Sequence, residues 1–531
     1  MIALLYYLVA LTGFATALCA PVTGCSIKWG TETVTGTASA TGVCRYTVKY
    51  GSAARWATAT SPASQTGVSA TAIPPSCPQI SSVLLATTTS EDCLYMTIYA
   101  PTSASSLPVF AFFPGGSNIM GGIASPGIDA SAIAKAGNMV VAVIQTRLGV
   151  LGYLPPAVAS TSSDPNMGVT DAVLALSTIQ SKISAVGGSA TKVTIGGQSS
   201  GASMVRALMG TPAAKGLFRQ MILQSDPLNY GLQSLKIMST LQSTYYAQSA
   251  FAGCSDLACF RKVSAADIIT AQTNLGNVVI DPSNGIPWAP FLRPSYGAAT
   301  IPNEPTNSLY YNTGALAISP SSVPLLITNV KDEAATSVSQ IFGSKIGAAS
   351  NAVYYSALNS LIGGTRANQI VYSASLTDYQ VPTTGSGDQF RETLSHLVTD
   401  FVWRCPARTL AGKYAAAGGK VYVGEFRQGV TYPLNSGVDL CVGKVCHMDD
   451  VYPTFDTSPS PSANTTTFEN GIIAAWAKFI AGSAPSSTWS AFSSGSGVSG
   501  TGVKSLGGDG LVGSCPTEYW GSKVEWDFQM F

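Results

Sequence analysis

Six short apolar runs, rich in β-branched or aromatic residues and separated by stretches of helical periodicity, set the architecture this chain can adopt. They are PVFAFF (108–113), MVVAVI (139–144), KVTI (192–195), QMILQ (220–224), VPLLIT (323–328) and KVYVGEF (420–426). Continuous runs of this kind suit strands buried on both faces, because a strand with one wet face alternates polar and apolar residues. Between them, Val173, Leu176, Ile179 and Ile183 share one helical face, and a later helix carries Ile472, Trp476, Phe479 and Ile480. Strands and helices in alternation predict an α/β fold: a large, mostly parallel central sheet flanked by helices. No internal repeat or domain boundary interrupts the pattern, so residues 18–531 read as a single domain. The Ser- and Gly-rich segment 485–513 reads as a surface loop or tail, pinned by Trp489 and Leu511.

The N-terminus carries its own signal. Residues 2–11 are apolar, and Ala15 and Ala17 follow at the spacing of a signal-peptidase site, which predicts a secretory leader over 1–17, or as far as Ala20. The apolar run breaks at Thr12 and Gly13, well short of the ~20 residues a membrane span needs. Ten of the eleven cysteines lie beyond Ala20, an even number that suits an oxidising compartment. Cys254 with Cys259 and Cys441 with Cys446 form natural short loops, and Cys25 with Cys44 would tie an N-terminal hairpin. Cys77, Cys93, Cys405 and Cys515 complete the set. With two histidines and no C-x-x-C pair, neither a metal site nor a cofactor is expected. The sequon at Asn464 is a candidate glycan acceptor. Charged residues are 10% of the chain, the net charge is +1 and no basic run occurs, so nucleic acid is not an expected partner.

The chemistry centres on TIGGQSSGASM (194–204). In a chain with 53 glycines the G-x-S-x-G pattern carries little by itself. Its context carries more: Ser199 follows a predicted strand and precedes a helical segment with Val205 and Leu208 at helical spacing. A serine nucleophile there needs a base and a carboxylate, in the chain order serine, acid, histidine. His396 and His447 both follow Ser199. His396 lies in a helical pattern, whereas His447 follows the Cys441 to Cys446 loop, so His447 is the favoured base. Glu333 and Asp332 both stand just past a predicted strand end, where catalytic groups gather in such sheets, and position alone does not choose between them.

Several blocks together resemble the type-B carboxylesterase family, the cholinesterase-like branch of the α/β hydrolases. They are SEDCLYMTIYAP (90–101), TRLGVLGYL (146–154), NMGVTDAVLAL (166–176), VTIGGQSSGAS (193–203), GLFRQMILQSD (216–226) and NVKDEA (329–334), in the family's order over nearly the whole chain beyond the leader. The resemblance implies an α/β-hydrolase fold with Ser199 as nucleophile, Glu333 rather than Asp332 as the acid, and His447 as the base. It also implies disulfides joining Cys77 to Cys93 and Cys254 to Cys259, and backbone amides of Gly116, Ser117 and Ser200 as oxyanion donors. The chain departs from the family pattern in its oxyanion loop, FPGGSN, which has Pro114 in the first place and Ser117 where the third glycine stands. Gln198 replaces an acidic residue before the nucleophile, and Ala334 replaces a glycine after the acid.

The implied activity is hydrolysis of neutral carboxylic esters through an acyl-enzyme, with a lipase or sterol esterase as the second reading. A choline ester is disfavoured, because the loop between Cys77 and Cys93 contains no aromatic residue to meet a quaternary ammonium. That loop is also short for a lipase lid, although Val83, Leu84 and Leu85 suggest an apolar tip. A non-catalytic role in adhesion, assembly or storage stays open because of Pro114 and Ser117.

Overall fold

The structure, a computed structural model, describes residues 24–85, 87–278, 292–311, 314–493 and 502–508, with 512, 515 and 516. Residues 1–17, expected to be a leader, and Leu511 lie outside the described residues.

The strands, in chain order, are β1 (Ser26–Trp29), β2 (Glu32–Thr35), β3 (Thr37–Ala38), β4 (Val43–Lys49), β5 (Tyr95–Pro101), β6 (Leu107–Phe113) and β7 (Val140–Ile144). They continue with β8 (Gly188–Gln198), β9 (Gln220–Gln224), β10 (Gln233–Ser234), β11 (Ser295–Tyr296), β12 (Leu325–Val330), β13 (Val421–Phe426) and β14 (Val503–Leu506). Ten of them form one sheet in the order β14-β13-β12-β9-β8-β6-β7-β5-β4-β3. From β14 to β7 neighbours run parallel, and β5, β4 and β3 add an antiparallel edge.

The apolar runs are continuous because both faces of the sheet are covered. In β6, Val109, Ala111 and Phe113 enter one core with the helix face of Ala172, Leu176 and Ile179. Phe110 and Phe112, on the opposite face, pack with Ile472, Trp476 and Phe479 of helix Ala463–Ile480. The period-2 alternation of side chains thus feeds two cores from one strand.

The tail segment differs from its reading as a loop. Val503–Leu506 forms the edge strand β14, parallel to β13. Pairing with the open edge of β13 supplies hydrogen bonds that this Gly-rich stretch lacks in its own periodicity. Trp489 is buried and donates its Nε1–H to the Val423 carbonyl at 3.0 Å, lying against Gly424, where a Cβ would meet the indole at 2.7 Å.

The disulfides join Cys25 to Cys44, Cys77 to Cys93, Cys254 to Cys259, Cys405 to Cys515 and Cys441 to Cys446. In the loop between Cys77 and Cys93, Leu84 is buried in the core beside β6 and Val83 is exposed, so the apolar tip reduces largely to one residue. No helix among the described residues is long and apolar enough to cross a membrane.

Candidate active site

Ser199 follows the last residue of β8 and immediately precedes helix Ser200–Met209, so strand turns into helix at a single residue. Its backbone sits at φ 55°, ψ −124°, a strained conformation that a serine holds only where its surroundings compel it. The compulsion is crowding: a Cβ at Gly201 would stand 1.9 Å from the Phe113 carbonyl oxygen, and only glycine fits there. The Ser199 N–H donates to the Gln224 carbonyl at 2.8 Å, which ties the elbow to β9.

His447 arrives on the loop after β13, just behind the ring closed by Cys441 and Cys446. Its Nε2 lies 2.9 Å from Ser199 Oγ and its Nδ1 lies 2.5 Å from Glu333 Oε2. With the Nδ1 proton directed at the carboxylate, Nε2 is left to accept the serine proton. Glu333 has no solvent exposure, and its Oε1 accepts from the Val330 N–H at 2.9 Å, which fixes the carboxylate against the end of β12. Asp332 does a different job. Its carboxylate accepts from the Val445 N–H at 3.1 Å and its own N–H donates to the Val445 carbonyl at 2.9 Å, fastening the loop of the acid to the loop of the histidine. His396 lies on helix Gln389–Thr399, half-exposed, with Nε2 3.4 Å from Asp400 Oδ2.

Burial alone would lower the His447 pKa. The charge and hydrogen bond of Glu333, with Asp450 and Asp449 behind them, outweigh it and hold the imidazole above its ordinary value. Asp450 is fully buried, and burial together with the Glu333 charge pushes its carboxyl up to about 7. Its Oδ2 accepts from Gln224 Nε2 at 3.0 Å, so the residue whose carbonyl holds Ser199 also holds this carboxyl.

Ser117 and Ser200, two of the three expected oxyanion donors, line the cavity in front of Ser199. Gly116 sits at φ 133°, a conformation that favours glycine, and its carbonyl accepts from the Ile119 and Met120 N–H groups. Ser117 and Asn118 follow at φ 55° and 59°, so the loop takes a left-handed course although both residues carry side chains. Asn118 is buried and its carbonyl accepts from the Gly149 N–H at 2.6 Å, a contact that helps hold that course.

Sequence reasoning missed the cavity wall. The Trp403 ring centre lies 5.5 Å from that of His447, its Nε1–H donates to the Ser225 carbonyl at 3.2 Å, and Tyr230 packs edge-on against it. Trp403 stands in a π-helical turn, Asp400–Arg404, and Tyr230 in a 3-10 turn after β9. Neither carries a motif that marks it in advance. Among the described residues, no group of three or more His, Cys, Asp or Glu converges as a metal site. Asn464 is exposed in the first turn of its helix, which Ser462 caps.

A serine elbow after a central parallel strand, with acid and histidine on the loops after β12 and β13, is the architecture of an α/β hydrolase. The sequence places the chain more narrowly. It belongs to the carboxylesterase family, whose sequence profile matches residues 44–498. It is 30% identical over 382 residues to the crystal protein of Dictyostelium discoideum, covering 70% of this chain and 64% of that one. To para-nitrobenzyl esterase of Bacillus subtilis it is 32% identical over 270 residues, 50% of this chain and 53% of the other. The matched region thus spans less than two thirds of these relatives. A solved structure of a PNB esterase superposes with a TM-score of 0.73 at 24% identity, covering 93% of this chain and 99% of that one, which shows the shared fold.

Proposed function

We propose that the chain is a secreted serine carboxylesterase that hydrolyses neutral carboxylic esters through an acyl-enzyme. The observation that carries this reading is the unbroken hydrogen-bond chain from Ser199 Oγ through His447 to the buried Glu333. Ser199 Oγ attacks the ester carbonyl carbon while His447 Nε2 takes its proton, and Glu333 stabilises the imidazolium that results. The amides of Gly116, Ser117 and Ser200 receive the oxyanion. His447 then hands its proton to the departing alkoxide, leaving Ser199 acylated. A water, deprotonated by His447, attacks the acyl carbon, and the proton returns to Ser199 as the acid leaves.

Two features favour an esterase of short acyl groups over a lipase. The described residues leave a cavity of about 90 Å³ in front of Ser199, smaller than the roughly 150 Å³ cavity known to hold benzene. The loop between Cys77 and Cys93 offers little apolar surface for a lid. Secretion through the leader at 1–17 and a glycan on Asn464 belong to the same proposal. They are read directly by N-terminal sequencing and glycosidase treatment of the protein recovered from the medium.

The decisive experiment compares p-nitrophenyl ester turnover by the protein and by Ser199→Ala, with organophosphate labelling of Ser199 as the second readout. Equal rates in the two proteins sink the enzyme reading. They would then favour a non-catalytic assembly or storage role, to which the similarity to the Dictyostelium crystal protein lends weight.

A further inference from the structure

Trp403 is 5% exposed, lines the cavity in front of Ser199, and has its ring centre 5.5 Å from that of His447 at an interplanar angle of 49°. Its one polar atom is engaged elsewhere, donating to the Ser225 carbonyl at 3.2 Å. The indole therefore meets the imidazole with carbon and π-electron surface alone.

The ring is anchored to the strand end that holds the elbow. Ser225 follows Gln224, whose carbonyl accepts from the Ser199 N–H, and its own N–H donates to the Thr328 carbonyl at 2.7 Å. The π turn that carries Trp403 runs straight into helix Cys405–Ala416, in which Pro406 has no N–H to give to a carbonyl of the preceding turn. Single π turns of this kind recur at functional sites. Within the turn, Asp400 pairs with Arg404 and accepts from the Tyr379 hydroxyl at 2.5 Å, and the Phe401 carbonyl accepts from Asn229 Nδ2 at 2.7 Å. Asn229 belongs to the same 3-10 turn as Tyr230, whose ring packs edge-on against Trp403.

The proposed reaction asks more of His447 than its hydrogen bonds supply. Its contacts at Nδ1 and Nε2 act in the plane of the ring, and an acylated Ser199 no longer has a proton to share with Nε2. An aromatic wall restrains motion out of that plane. The imidazole also becomes a cation each time it takes a proton, and a cation within ~6 Å of an indole centre is attracted by the ring, most strongly where water is excluded. Resting on the hydrolase reading above, we infer that Trp403 is a positioning residue: its indole holds the His447 imidazole in line with Ser199 and stabilises the imidazolium that carries the proton from Ser199 Oγ to the departing alkoxide.

The test compares Trp403→Phe with Trp403→Leu. Both lose the indole N–H and keep apolar bulk, but only phenylalanine keeps a π face. Hydrolysis of p-nitrophenyl acetate is followed across pH at the isosbestic wavelength of the product. A less stabilised imidazolium gives up its proton at lower pH, so the acid limb of kcat/KM should move down by about 0.4 to 1.5 pH units in Trp403→Leu, with kcat lowered about 2- to 20-fold. Trp403→Phe should move it less. The charged groups acting on His447 are Glu333, Asp450 and Asp449; these, Arg293 in the cavity lining and the Asp400–Arg404 pair on the turn of Trp403 are common to all three proteins. A contact made only with substrate would change KM and leave the limb in place.

A second measurement requires no variant to fold. An imidazolium quenches an indole that it touches, so the fluorescence of the unmodified protein should step at the pH of its acid limb, and the step should vanish in Trp403→Phe. Acid limbs that coincide in Trp403→Phe and Trp403→Leu, or no fluorescence step in the unmodified protein, overturn this inference alone. No Ser199-dependent turnover of the ester overturns the hydrolase reading beneath it.

Discussion

His447 Nδ1 lies 2.5 Å from Oε2 of Glu333, a carboxylate with no solvent exposure. A buried acid at this distance holds the imidazole in one tautomer and one orientation, so that Nε2 faces Ser199. Glu333→Gln keeps the shape and replaces an acceptor with an amide that can present N–H to Nδ1. The expected loss in kcat is about 10³- to 10⁴-fold, with the thermal unfolding midpoint nearly retained. A loss below tenfold in steady-state assays would remove Glu333 from the proposed mechanism.

The pH profile follows from the same pair. The imidazolium cannot accept the serine proton, so kcat/KM falls below the His447 pKa, which the Glu333 charge, with Asp450 and Asp449, raises above the ordinary 6.5. The acid limb is therefore expected above pH 6.5. Asp450→Asn removes a carboxyl whose ionised form raises His447; because that carboxyl is itself pushed up to about 7, the limb should move down only slightly.

Asp450 also makes a stability prediction. Its carboxyl is raised in the folded state from 3.8 to about 7, so the folded protein favours the protonated form. Its stabilising term is present at acid pH and is lost as the pH climbs from 3.8 through about 7. Urea unfolding across that window should show a smaller decline in Asp450→Asn than in the parent protein.

Gly201→Ala tests the elbow. A Cβ would stand 1.9 Å from the Phe113 carbonyl oxygen, so the helix or β6 must shift. Overpacking of this severity costs about 3 kcal/mol, readable in urea unfolding, and the displaced elbow should abolish ester turnover.

Ser117 tests the departure in the oxyanion loop. At φ 55° a serine is strained by about 1 kcal/mol, and glycine would relieve this while adding a similar cost in unfolded-chain entropy. Ser117→Gly should therefore leave stability and kcat close to the parent. Ser117→Val cannot hold that φ comfortably, and a tilted amide should lower kcat about 10²- to 10³-fold.

Much of the scaffold was legible along the chain because burial on both faces writes itself locally, as runs such as PVFAFF and QMILQ, which coincide with the core strands β6 and β9. β14 escaped this reading because its apolar content is low and its partner, β13, lies far away in sequence. The crowding that selects Gly201 also has a local trace, in the glycines around Ser199.

The sequence by itself determined which residue types were at hand: one serine on a strand-to-helix elbow, two histidines, and two adjacent carboxylates. Tertiary structure decided among them. It set the imidazole of His447 between Ser199 and Glu333, turned Asp332 to clasp Val445, and left His396 half-exposed beside Asp400. It also placed Trp403, Tyr230 and Arg293 around one cavity from separate segments with no shared periodicity. The reason is physical: strand and helix formation depend on neighbours a few residues away, whereas the wall of a site is assembled from chain crossings that local pattern does not encode.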